Sequence, residues 1–195
     1  VGEQRIYHVT HVDNLPFIAE SGALLADASP AMDASSPANR EARRETPLGD
    51  AVVSDYVPFY LSPNAALWAA MRAGTPDERL SRDVQGLPPG EFAILVSTVD
   101  STTAFEVAIA DGDAANTFTR FAATDEDRDR MLRKLRVDDE AILGAELLVR
   151  GSFPFERITL IGAANDRGRD AIRDGLNDSV HVPKIAIYPP WFARS

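Results

Sequence analysis

The chain has 195 residues, 45% hydrophobic and 26% charged, the make-up of one soluble globular domain and not of a disordered tail or a fibre. It has no cysteine, which excludes disulfides, a thiolate nucleophile and Cys-bound zinc, and its three histidines leave little for an imidazole metal site. Thirty acidic against twenty basic side chains give a formal charge of -10, which argues against indiscriminate binding of nucleic acid.

No internal repeat or low-complexity linker divides the sequence, so a single domain over residues 1–195 is expected. No apolar run approaches the roughly 20 residues needed to span a bilayer. The opening Val-Gly-Glu-Gln-Arg has no signal-peptide pattern and no initiator Met, so the expectation is a trimmed, cytoplasmic protein.

Ile6 to Val12 is rich in β-branched residues and reads as a strand. Asp13 or Asn14 can cap a short helix through Glu20, with Pro16 tolerated in its first turn and Gly22 ending it. Residues 26–55 are rich in Ala, Ser, Pro and Asp and carry an Arg cluster; they read as a long loop or partly helical excursion, a kind of segment that often carries function. Val57 to Leu61 is a strand candidate interrupted by Pro58, and Ser62 and Pro63 open a helix through Leu67, Trp68 and Met71 to Gly74. A second loop spans residues 75–90. Phe92 to Val99 is mostly apolar, as a central strand would be. Phe105 to Ile109 is another strand candidate, ending at the Asp111-Gly112 turn. Thr124 can cap a helix of about residues 125–136, with Met131, Leu132 and Leu135 as its buried stripe. Ala145 to Val149, Ile158 to Gly162 and Ile185 to Tyr188 read as strands, with a helix capped by Asp166 between the last two. Strands with helices bunched between only some of them indicate an α+β fold.

The sequence contains no Walker loop, no Rossmann glycine pattern, no H-E-x-x-H and no G-x-S-x-G. His8 and His11 differ by an odd number, so a regular strand points them to opposite sides, and no metal site is expected. Asn39-Arg40-Glu41-Ala42-Arg43-Arg44 reads on composition as a solvated helical stretch, and functionally as a set of fork donors for a pyrophosphate. Glu146 lies within Ala145-Glu146-Leu147-Leu148-Val149; alternation puts it on one face with Leu148 and Arg150, opposite Ala145, Leu147 and Val149. A carboxylate in an apolar strand costs free energy unless it is solvated, paired or used.

Three blocks taken together carry a resemblance. Ile6-Tyr7-His8-Val9-Thr10-His11-Val12-Asp13-Asn14-Leu15, then Asp55-Tyr56-Val57-Pro58-Phe59-Tyr60, then Gly144-Ala145-Glu146-Leu147-Leu148-Val149 followed by Phe153-Pro154-Phe155-Glu156, resemble in order and spacing the DarT family of DNA ADP-ribosyltransferase toxins. The resemblance runs from about residue 5 to the end. It implies an α+β fold, the split β-sheet of ADP-ribosyltransferases with flanking helices. It also implies the activity: splitting NAD and transferring ADP-ribose to a base in single-stranded DNA, without a metal. By the same resemblance His8 and Thr10 line the NAD cleft, Asn14 and Leu15 stand at the following helix start, and Tyr60 flanks the nicotinamide. Leu67 joins the cofactor-binding set, Glu146 is the catalytic glutamate, and Arg44 is the functional arginine near the diphosphate (Arg43 or Arg40 if the loop aligns differently).

The implied partners are NAD, single-stranded DNA and a macrodomain-type antitoxin that removes the modification. Two positions depart from the family pattern. Asn64-Ala65-Ala66-Leu67-Trp68 stands where R-S-P-M-L is usual, and Asp113 stands where Asn or His often follows an Asp-Gly-like turn. The same chemistry on RNA or protein is an alternative, as is a degenerate module that binds NAD or nucleic acid without turnover.

Overall fold

The computed structural model describes residues 4–194; Val1, Gly2, Glu3 and Ser195 lie outside it, including the start of the segment read for a leader. In chain order the elements are β1 (Arg5–His11), α1 (Leu15–Ser21), β2 (Ala23–Leu25), α2 (Pro37–Glu45), β3 (Pro47–Leu48), β4 (Ala51–Val52), β5 (Tyr56–Tyr60), α3 (Ala66–Ala73), β6 (Phe92–Thr98), β7 (Val107–Ala110), β8 (Phe121–Ala122), α4 (Asp125–Leu135), α5 (Ala141–Gly144), β9 (Glu146–Arg150), β10 (Ser152–Pro154), β11 (Leu160–Ala163), α6 (Asp166–Gly175) and β12 (Lys184–Ile187). Eight strands form one sheet in the order β12-β11-β6-β1-β5-β9-β7-β8. All its pairs are antiparallel except β11 with β12. This mixed sheet with flanking helices is the α+β architecture expected from the sequence.

The sheet opens in its middle. β1 pairs with β6 from Arg5 to His11, and β5 pairs with β9 along its whole length, but β1 and β5 meet only at Tyr7 opposite Tyr60. Pro58 sits in β5 without breaking it. Its carbonyl accepts a hydrogen bond from His8 Nδ1 at 2.9 Å, so that edge of the residue faces the opening. A strand residue directs its N and its C=O to the same side, and the N–H that proline lacks is therefore missing where β1 has already diverged. The sequence reading of an interruption at Pro58 gives way to a continuous strand beside a gap.

Alternation along β6 buries both faces. Ala93 and Leu95 join Ile6, Val57, Phe59, Leu147 and Val149 under α1, α4 and α6, while Phe92, Ile94 and Val96 pack with Trp68 and Met71 of α3 and with Phe192. This two-sided burial explains the unbroken apolar run. α1 ends at Gly22 in the left-handed region, φ 67°, a conformation glycine adopts without a Cβ penalty. Thr124 caps α4 through the Asp127 N–H. Two helix starts differ from the sequence reading. Asn165, not Asp166, caps α6 by accepting from the Gly168 N–H, and α3 begins at Ala66, because Ser62 Oγ and the Ser62 carbonyl first hold Asn64 and Ala65 in a turn.

Candidate active site

The opening between β1 and β5 is a cavity of about 290 Å³, at the small end of ligand-sized pockets. β1 brings His8 and Thr10 to it, the turn after β1 brings Asn14, α2 brings Arg40 and Arg43, β5 brings Tyr60, α3 brings Leu67, and β9 brings Glu146. Tyr7, Tyr60, Glu146 and Ala110 stand in register on four neighbouring strands. The sheet thus sets Glu146 beside Tyr60 on one face, as strand alternation requires.

Glu146 is only 5% exposed, and its carboxylate is bonded on both oxygens. Arg43 Nη2 donates to Oε2 at 3.0 Å, and Arg43 Nη1 donates to Oε2 at 3.1 Å and Oε1 at 3.3 Å. The Ala114 N–H donates to Oε1 at 3.1 Å. This fork is what a buried carboxylate needs to offset its desolvation. Burial works against the Arg43 charge, but the adjacent Glu146 outweighs it and holds the guanidinium above its usual range. Burial, and then Glu146, raise the Tyr60 phenol, which therefore stays protonated at neutral pH. Burial lowers His8, only partly offset by its bond to Pro58. Its ring is neutral at pH 7, and because a carbonyl can only accept, Nδ1 carries the hydrogen.

Asn14 acts as a clamp. Its side chain accepts from the Met32 N–H at 2.9 Å and donates to the Met32 carbonyl at 2.8 Å and to Thr10 Oγ1 at 3.1 Å. The loop ahead of α2 is thereby tied to β1. Ser36 caps α2 by accepting from the Asn39 N–H at 3.1 Å, and Arg40 pairs with Asp33 at 2.7 Å. Together these fix the rotation of α2 that aims Arg43 inward.

Two residues named from the sequence lie elsewhere. Arg44 does not line the cavity; it is half exposed and pairs with Asp27 at 2.9 Å. One residue along a helix turns a side chain by about 100°, so Arg43 and Arg44 cannot both point inward. Leu15 is fully buried in the core among the residues around Ile18 and Leu24, and it supports the site from below without facing it. The sequence reading also missed Arg79. It lines the cavity, forks onto Asp77 at 2.6 Å and reaches Asp113 at 2.9 Å, next to the Ala114 N–H that holds Glu146. The departure at Asp113 was the one available signal for this contact. Among the described residues no group of three or more His, Asp or Glu could hold a metal ion, and no helix is long and apolar enough to cross a membrane.

The family model described as ssDNA thymidine ADP-ribosyltransferase, DarT, matches residues 7–193. The chain belongs to this family. A DNA ADP-ribosyl transferase of Mycobacterium tuberculosis is 24% identical over an alignment covering 96% of this chain and 88% of its own. One from Thermus sp. is 38% identical over 35% of this chain. Among solved structures, Thermus sp. 2.9 DarT in complex with ADP-ribosylated ssDNA superposes with a TM-score of 0.81 at 22% identity, covering 98% of this chain and 97% of that one. The same Thermus protein in complex with NAD+ gives 0.75 at 23% identity, covering 99% of each chain. Thermosipho africanus DarTG in complex with ADP-ribose gives 0.72 at 19% identity, covering 97% of this chain and 51% of that one. These likenesses establish the fold of the DarT family member described above.

Proposed function

We propose that this chain splits NAD at its nicotinamide–ribose bond and transfers the ADP-ribose to a base of single-stranded DNA, with thymidine as the favoured nucleoside. Membership of the family supports the reaction class, and relatives of the same fold take NAD+ and ADP-ribosylated ssDNA. The single observation that carries the reading is the Glu146 carboxylate, forked by Arg43 within the opening of the sheet.

As the bond to nicotinamide breaks, its electron pair leaves with the pyridine and positive charge grows on the ribose, as in glycoside cleavage. A fixed carboxylate stabilises that charge most where it is greatest. A base nitrogen then supplies the pair for the new bond to the ribose carbon, and Glu146 accepts the proton it sheds. The NAD diphosphate competes for the Arg43 fork and releases Glu146 toward the sugar. Arg43 thus takes the role that the sequence reading gave first to Arg44. Tyr60 and Leu67 supply the stacking and apolar wall that keep water from the sugar cation. His8, neutral, offers its Nε2 as an acceptor.

The further role as the toxin half of a pair, countered by a macrodomain-type antitoxin in the cytoplasm, rests on the family resemblance and on the likeness to the longer DarTG chain. Incubating the protein with NAD and, separately, single-stranded DNA, RNA and a protein mixture, followed by mass spectrometry, tests the reading. An added ADP-ribose on DNA alone is the expected result. Adducts confined to RNA or protein, or NAD bound without turnover, would replace it.

A further inference from the structure

A second groove of about 310 Å³ lies on the other half of the sheet, lined by Arg5, Tyr7, Gly162, Ala186, Tyr188 and Trp191. Its floor is bare backbone at Gly162, where a Cβ would come within 2.8 Å of the Trp191 ring. The indole therefore lies close against the sheet. Tyr188, 48% exposed, meets Trp191 at 4.8 Å between ring centroids, and Tyr7 meets it at 5.6 Å edge-on. Trp191 is fixed from behind as well, since its carbonyl accepts from Trp68 Nε1 at 2.8 Å and Arg72 Nη1 at 2.9 Å.

The charge around this groove runs against that of the molecule. In a chain of net charge -10 there is no Asp or Glu from Ser179 to the end, while Lys184 and Arg194 fall in that stretch. Among the described residues no carboxylate lines the groove, and Arg5 is one of the residues that do. It is also adjacent to the catalytic cavity, because Tyr7 of the groove and Tyr60 of the cavity are direct partners on neighbouring strands. Rigid aromatic rings beside a guanidinium are the pairing that single-stranded nucleic acid uses, a base face on the rings and a phosphate on the cation.

We propose that this groove is a second binding site for the single-stranded DNA substrate, taking a nucleotide that flanks the one modified. Tyr188 and Trp191 stack the flanking base and Arg5 meets its phosphate. The inference deepens the reading under Proposed function and rests on it for the identity of the polymer, but its test does not depend on turnover. The chain has two tryptophans, Trp191 in the groove and the buried Trp68 beside the catalytic cavity. Fluorescence quenching by an oligothymidylate short enough to occupy the cavity alone therefore reads Trp68, and the additional quenching by a long one reads Trp191.

Tyr188→Ala is expected to weaken binding of the long oligonucleotide about tenfold. Arg5→Gln is expected to lower the salt dependence of that binding by the equivalent of one phosphate contact. Neither variant should change binding of the short oligonucleotide or the hydrolysis of NAD without DNA. Unaltered affinity and salt slope for the long oligonucleotide in both variants would overturn the groove, as would quenching by a mixed peptide pool but by no oligonucleotide. Quenching that depends on Tyr188 and Arg5, with no ADP-ribose transferred to DNA, would keep the groove and reject the catalytic reading instead.

Discussion

Replacing Arg43 by alanine removes every side-chain donor from the Glu146 carboxylate and leaves it only the Ala114 N–H. Breaking a buried ion pair by deleting one partner costs about 3–5 kcal/mol. Glu146 borders a cavity that water can enter, so the expected loss is about 2–3 kcal/mol, at or just below the lower bound of that range. Glu146→Ala strands the buried guanidinium and should cost a similar amount. The double variant removes both charges and should be little worse than either single one, leaving a coupling of about 2 kcal/mol in the cycle. In urea, where stability changes by about 1–3 kcal/mol per molar, each single variant lowers the midpoint by roughly 1–2 M. Losses in the double variant that equal the sum of the two would refute the argument, since they would mean that the two groups do not stabilise each other. Turnover of Arg43→Ala should fall by about 10²–10³, the range for loss of one preorganised donor.

Arg44→Ala removes only a half-exposed pair with Asp27, worth about 0–1 kcal/mol. Its NAD turnover should stay within about twofold of wild type, and a loss matching that of Arg43→Ala would return the functional role to Arg44. His8 titrates lower in the fold than its ordinary value of 6.5, so the unfolded chain takes up its proton first. Stability is full above that pH and falls as pH drops below it, by at most about 1.4 kcal/mol per unit, until the folded group also protonates. Urea midpoints of His8→Gln between pH 7 and 5 should lack this component; a slope identical to that of wild type would contradict the burial argument.

Much of the scaffold could be read along the chain because its causes are local. The alternation of Ala145 to Val149 placed Glu146 on the face opposite Ala145, Leu147 and Val149, Thr124 marked the start of α4, and Gly22 marked the end of α1. Which of Arg40, Arg43 and Arg44 forks Glu146 was not legible. It depends on the phase of α2, which is set by Ser36 and by the tie from Asn14 to Met32, eighteen residues on and beyond α1 and β2. The Arg79–Asp113 bridge joins two loops far apart in sequence, and no periodicity links them. Pro58 was misleading for the opposite reason. A local rule predicted a broken strand, and the long-range parting of β1 from β5 removed the need for the missing N–H.

The account turns on whether Glu146 does chemistry or only neutralises Arg43. Glu146→Gln keeps the shape and an acceptor for Arg43 while removing the negative charge that an electron-poor ribose needs. The decisive measurement is the mass of a single-stranded oligothymidylate incubated with NAD and either protein, each first shown to be folded by circular dichroism. Wild type should add one ADP-ribose, and Glu146→Gln should form product at less than about one-hundredth of that rate. Product formed by the variant at the wild-type rate would contradict the account.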